Sequence, residues 1–200
     1  MADRGPWAPP DAGDCGCTCK VVAIVVYESL WGNTAAIAHA IADGLGPGTR
    51  IGSTGDISPA VAATAALLVV GAPVHAMSLP TTRSLTSVAR RTLGDGEIAG
   101  DVDHPLMRDW IIELRFRESF AAAFDTRVTG LMGRGGTNAL ERLLKGTGRR
   151  LIDQSGRYIV DHQREVRTTA GMLREGELGR ARAWGEHLAT LDWKSPNLQG

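Results

Sequence analysis

A chain of 200 residues is long enough to bury one substantial α/β core and lies within the range of a single domain. Its 22 basic residues balance its 22 acidic ones, so no net field argues for a nucleic-acid partner or an anionic membrane. No apolar run approaches the roughly 20 residues that span a bilayer, and the N-terminus is proline-rich and acidic where a signal peptide is basic and then apolar, so a cytoplasmic protein is expected.

Residues 1–19 contain Pro6, Pro9, Pro10, Gly5, Gly13 and Gly16 and read as a disordered tail ahead of a domain at residues 20–192. Cys15, Cys17 and Cys19 are the only cysteines. On an extended backbone their spacing puts all three sulfurs on one face. A tetrahedral metal site needs a fourth ligand and usually wider spacing, so the expectation is exposed thiols and no metal.

Val21 to Tyr27 is an almost unbroken apolar run, as a parallel strand buried on both faces requires. A short polar turn, Glu28 to Asn33, leads into Ile37, Ile41 and Leu45 at helical spacing. The turn therefore ends at a helix N-terminus, where unpaired backbone N–H groups and the helix dipole favour an anion. Ser29, Asn33 and Thr34 add neutral donors, and no lysine or arginine stands between Glu28 and His39. That excludes the lysine-bearing loop of P-loop NTPases and fits a single monoester phosphate.

Gly44 to Gly48 stops the first helix, a weak edge strand follows at Thr49 to Ser53, and Pro59 to Thr64 reads as a short helix. Ala65 to Gly71 is a second buried strand, followed by the loop A-P-V-H-A-M-S-L-P and a helix from Pro80 to Leu93. Gly94 to Pro105 reads as a surface loop whose acids, Asp95, Glu97, Asp101 and Asp103, are solvated, with His104 beside them. A short apolar helix, Leu106 to Leu114, precedes a strand at Ser119 to Asp125. The next helix, Thr137 to Leu144, is capped at Thr137 or Asn138 and turns Leu140, Leu143 and Leu144 inward. Leu151–Asp153 and Tyr158–Val160, split by Ser155-Gly156, give the last strand, with a hairpin return as one option. Glu177 to Leu191 is the final helix, with Leu178, Ala181, Gly185 and Leu188 as its buried stripe, and residues 193–200 fray. Strands alternating with helices imply a doubly wound parallel sheet, with ligands binding at the carboxyl ends of its strands.

Three stretches carry a family resemblance. Y-E-S-L-W-G-N-T resembles the phosphate loop of flavodoxins, roughly Ser/Thr-x-Thr-Gly-Asn-Thr, with Ser29, Gly32, Asn33 and Thr34 matching and Leu30 and Trp31 standing where many flavodoxins have threonine. G-A-P-V-H-A is similar to the family's third-strand loop, Gly-x-Pro-Thr-His-Ala, with Gly71, Pro73, His75 and Ala76 matching and Val74 in place of threonine. F-D-T-R-V-T-G resembles the exit of its fourth strand. The nearest likeness is to the flavodoxin-like proteins of actinobacteria.

That resemblance implies a five-stranded sheet of order 2-1-3-4-5 with helices on both faces, and FMN as cofactor. It carries FMN contacts onto Ser29, Leu30, Trp31, Gly32, Asn33, Thr34, Pro73, Val74, His75, Ala76, Met77, Asp125, Thr126 and Arg127, and assigns no catalytic residue. Flavodoxins usually sandwich the flavin ring between aromatics on the third- and fourth-strand loops. Here no aromatic lies between Asp125 and Thr137, which leaves Trp31, Tyr158 or a ring from a partner subunit to supply a stacking face. The implied activity is electron transfer between a reductase and an acceptor, either a redox partner protein or a quinone-like molecule. The alternatives are an FMN-dependent NAD(P)H-quinone oxidoreductase or a flavodoxin-type protoporphyrinogen dehydrogenase. A flavin-free receiver-like signalling domain shares the topology, but it needs an acidic pair after the first strand and an acceptor aspartate after the third. Glu28 stands alone, and Gly71-Ala72-Pro73 carries no carboxylate.

Overall fold

The computed structural model describes residues 23–161 and 166–193. The cysteine-bearing tail and the last seven residues lie outside them. β1 (Ala23–Tyr27) is the central strand, and its alternation divides the core in two. Ile24 and Val26 face one layer, with Ile57, Met107, Trp110, Leu140 and Leu144, while Val25 faces the other, with Ile37, Ile41, Ala181 and Leu188. A strand buried on both sides has no polar face to offer, which is why its sequence is a run and not an alternation.

β2 (Arg50–Ser53) and β3 (Leu67–Pro73) flank β1 in parallel, placing Val25 opposite both Ile51 and Val69. β4 (Ser119–Arg127) extends the sheet from β3, with Val69 opposite Ala122. With β5 at Arg149–Leu151, the order β2-β1-β3-β4-β5 is the expected doubly wound topology. The fifth position differs from expectation. β5 (Arg149–Leu151) runs parallel to the start of β4, and β6 (Gly156–Ile159) runs parallel to its end. There is no hairpin return: the chain leaves the sheet at Ile152 and rejoins the same neighbour. Asp153 accepts the Trp184 indole N–H at 2.9 Å and Ser155 donates to Glu141 at 2.6 Å, which fixes this break.

α1 (Asn33–Leu45) and α6 (Glu177–Thr190) cover one face. They cross at Gly44 and Gly185, each placed so that a Cβ would overlap the backbone of the other helix. In α6 the buried stripe is Glu177, Ala181, Gly185 and Leu188, whereas Leu178 is exposed. Gly176 in the left-handed region sets that phase, and Glu177 is held in the first turn by Arg180 Nη1 at 2.6 Å, where the helix dipole favours a carboxylate. Trp193 does not fray: it is buried and donates its indole N–H to the Leu188 carbonyl at 2.6 Å.

The other face carries α2 (Pro59–Ala62), α4 (Met107–Ile112) and α5 (Gly136–Gly146). α5 is preceded by Gly135, φ 98°, at the N-cap position, so Thr137 and Asn138 lie inside its first turn and cannot cap it; the Thr137 N–H is instead satisfied by Asp125. α3 (Thr82–Ala89) is shorter than the expected Pro80–Leu93. A Thr81–Ser84 capping box starts it, but Leu85 is its only buried residue, so little packing prolongs it. No helix among the described residues is long and apolar enough to cross a membrane.

Candidate functional site

Glu28 leaves β1 with its N–H on the Gly71 carbonyl at 2.9 Å, and the chain then turns through Ser29–Trp31 into α1. Gly32, φ +81°, occupies the N-cap position, and helical bonding begins with Ala36 N–H on its carbonyl at 2.9 Å. Among the described residues, the N–H groups of Leu30, Trp31, Gly32, Asn33 and Thr34 meet no protein acceptor. Five consecutive free donors at the positive end of a 13-residue helix make a nest for an anion. Side chains brace the nest from within: Ser29 Oγ accepts from Ala35 N at 3.3 Å, and Thr34 Oγ1 meets Thr126 Oγ1 at 2.8 Å.

A second brace comes from far along the chain. Ala170 N–H donates to the Trp31 carbonyl at 2.9 Å, and Met172 N–H donates to Asn33 Oδ1 at 3.3 Å. A Cβ on Gly32 would overlap the Thr169 methyl, so the glycine serves both its left-handed φ and this close approach.

The nest opens on a crevice of about 620 Å³ across the carboxyl ends of β1, β3 and β4, within the size range of small-molecule sites. Ser29, Leu30, Trp31, Asn33 and Thr34 form one wall, and Pro73, Val74, His75 and Ala76 form another. β4 contributes Thr126, followed by Val128 and Thr129. Arg91, Val160, Asp161, Val166 and Met172 complete the lining. Sequence reasoning missed these five, and Val128 and Thr129 besides: Arg91 follows a helix that ended early, Val128 and Thr129 lie just past the fourth-strand residues carried over, and the rest belong to the stretch from the end of β6 to α6, which carries no motif.

Four residues expected at the site stand elsewhere or contribute backbone only. Gly32 contributes its main chain. Met77 is 53% exposed at the tip of a two-residue turn between His75 and Ser78, where Ala76 and Met77 both take positive φ, 47° and 66°. Asp125 and Arg127 lie on the opposite face of β4 from Thr126, as strand alternation demands. Asp125 is buried and accepts from Arg127 Nε at 2.6 Å, from Arg127 Nη2 and from Thr137 N at 2.7 Å, which pins the start of α5. Burial pushes its carboxyl upward in pKa against the pull of Arg127.

Trp31 and His75 stack across the crevice, with ring centroids 6.2 Å apart and planes at 15°. Tyr158 offers no such face, being buried edge-on to Phe124 beneath Arg180. Burial lowers the His75 pKa below its ordinary 6.5, with the Glu28 carboxylate pulling the other way. Glu28 is itself wholly buried and accepts Met107 N–H at 2.8 Å. His104, expected on a solvated loop, turns inward to face it at 3.6 Å.

No family model matches the chain, and no curated protein matches it by sequence. Solved structures do. An archaeal flavodoxin is 18% identical over 84% of this chain and 95% of its own, at a TM-score of 0.57. Flavodoxin 1 of Bacillus cereus is 14% identical over 84% of this chain and 98% of its own, at 0.52. A Streptococcus pneumoniae flavodoxin is 17% identical over 84% and 97%, at 0.50. At such identities the likeness is one of architecture, and it agrees with the strand order and flanking helices: the chain has the flavodoxin-like fold.

Proposed function

We propose that the chain is an FMN-binding redox protein that exchanges electrons with a partner protein or a quinone-like acceptor. The observation that carries this reading is the run of five unpaired N–H groups, Leu30 to Thr34, opening on a crevice whose further walls are largely apolar. One nest of neutral donors suits one phosphate. Val74, Val128, Val166 and Met172 exclude water from the space beyond it, and the stacked Trp31–His75 pair presents flat surface to a planar ring. Bound there, FMN would supply the one- and two-electron chemistry, while the chain supplies binding, orientation and electrostatics.

Titration with FMN and with riboflavin, followed by flavin fluorescence, tests the proposal. The chain is expected to bind one FMN and to bind riboflavin far more weakly, because riboflavin has no phosphate for the nest. Ser29→Asp keeps an acceptor for Ala35 N–H but sets a carboxylate against the phosphate. It is expected to weaken FMN by about tenfold or more, the equivalent of about 1.4 kcal/mol, and to leave riboflavin unaffected. Equal affinity for the two flavins in the unmodified chain would overturn the assignment.

A further inference from the structure

We propose that Glu28, His104 and Asp101 form a line of ionisable groups, from the buried end of β1 to solvent, that biases the charge carried by His75 on the crevice wall. Glu28 is the positioning residue and His104 its counter-charge.

Glu28 is 0% exposed, and only one of its oxygens is hydrogen-bonded, to Met107 N–H at the start of α4. The other, Oε1, faces His104 Nε2 at 3.6 Å, and among the described residues neither atom has a hydrogen-bond partner. A buried carboxylate left half-satisfied is costly unless a positive charge faces it. The imidazolium of His104 provides that charge, and its side chain is itself only 7% exposed. The other ring nitrogen, Nδ1, lies 3.5 Å from Asp101 Oδ1, and the Asp101 side chain is 67% exposed. Burial thus falls stepwise along three groups.

The same segment is fastened at both ends to the turn that leads from β1 into the anion nest. Asp101 N–H donates to the Leu30 carbonyl at 2.7 Å, and Met107 N–H donates to Glu28. Among the described residues, His104 faces Glu28 from the 101–107 segment, and Glu28, whose N–H is bonded to Gly71 at the end of the strand that leads to His75, acts in turn on that histidine. His75 also stacks on the neutral Trp31 ring, and Arg91 and Asp161 are the other charged residues lining its crevice. A negative Glu28 favours a proton on His75, and a protonated His104 beside Glu28 opposes it. Burial sets the larger part of the His75 shift; on top of it, the charge next to a bound ligand is biased by a pair that lies outside the crevice. Its value to the reaction rests on the FMN reading above, but the arrangement and its test concern the chain's own residues.

The test is a proton-NMR titration of the His75 and His104 rings in the full chain without ligand, over roughly pH 4–9 around the ordinary histidine value of about 6.5. Glu28→Gln still accepts Met107 N–H, and it is expected to shift the His75 midpoint downward. His104→Gln is expected to shift it upward. Asp103→Asn, an exposed acid on the same segment, is expected to leave it unmoved. A packing role would not produce opposite shifts from the two members of one pair. A His75 midpoint unmoved in Glu28→Gln, or lowered in His104→Gln, overturns the proposal. Should Glu28→Gln fail to fold, the direction of the His104→Gln shift decides alone. Flavin affinity does not enter this readout, so failure here and failure of the FMN reading are separable.

Discussion

Two histidines on either side of Glu28 give stability opposite dependences on pH. His75 has its pKa lowered from 6.5 chiefly by burial, so the unfolded chain binds the proton more readily, and stability is full above 6.5 and lost as pH falls below it. His104 is raised from 6.5 chiefly by the facing Glu28 carboxylate, so its contribution is full below 6.5 and lost as pH rises through its folded value. Thermal unfolding across this range separates the two. The melting-temperature difference between the unmodified chain and His104→Gln should shrink above pH 6.5, and the difference from His75→Phe should move against the unmodified chain below it; a His104 difference that grows with pH would refute the assignment. At this scale the sequence was partly legible. Ser29, Asn33, Thr34 and His75 follow from a loop that local chain geometry places. The resemblance also carried Asp125, Thr126 and Arg127 to one wall, and a strand does not permit that for three consecutive residues. Period-two alternation alone puts Thr126 opposite its neighbours, and the 2.8 Å contact with Thr34 shows which face it takes. The Glu28–His104 pair had no local signal, because the 101–107 segment meets Glu28 through partners up to 79 residues apart.

Among the elements, the crossing of α1 and α6 is the least tolerant of added bulk. A methyl at Gly185 would overlap the Ile41 carbonyl, with the Gly44 Cα close behind it. Overpacking of that kind costs about 1–3 kcal/mol, more than the gain of up to about 1 kcal/mol from alanine's helix propensity. A methyl at Gly179, in the same helix, would meet nothing within 4 Å. Urea unfolding should therefore find Gly185→Ala destabilised and Gly179→Ala stabilised by about 0.5–1 kcal/mol; equal effects would mean that the helices do not cross there. Strands β1 and β3 were plain in the sequence because double burial forces a continuous apolar run. The split fifth strand was not, since two short apolar patches read alike as a hairpin or as an interrupted strand. What decides is the length of the neighbour: β4, at nine residues, accommodates both β5 and β6 along its edge. α6 was found with Ala181, Gly185 and Leu188 inward as expected, and only its first turn differs: Leu178 outweighed Glu177 on hydropathy, whereas it is Glu177, held by Arg180, that is buried.

Across the whole molecule, the nest is made early in the chain and braced late. Residues 23–45 contain β1, the loop and α1, but the contacts from Ala170 and Met172 and the packing of α6 come from the far end. A ribosome delivers these parts in that order. During synthesis of everything between, α1 can pack on the sheet but its side toward α6 has no cover and the loop has no outer support, so the native site is expected only once α6 has left the exit tunnel. A chain arrested at Asp161 already holds every strand of the sheet, and it is expected to bind a fluorescent apolar dye strongly and FMN not at all. Extending it to Trp193 should reverse both properties together, and FMN binding by the shorter chain would show that the late segment is dispensable. Such a protein spends much of its birth exposed, and its demand on chaperones should track the delay between its first helix and its last.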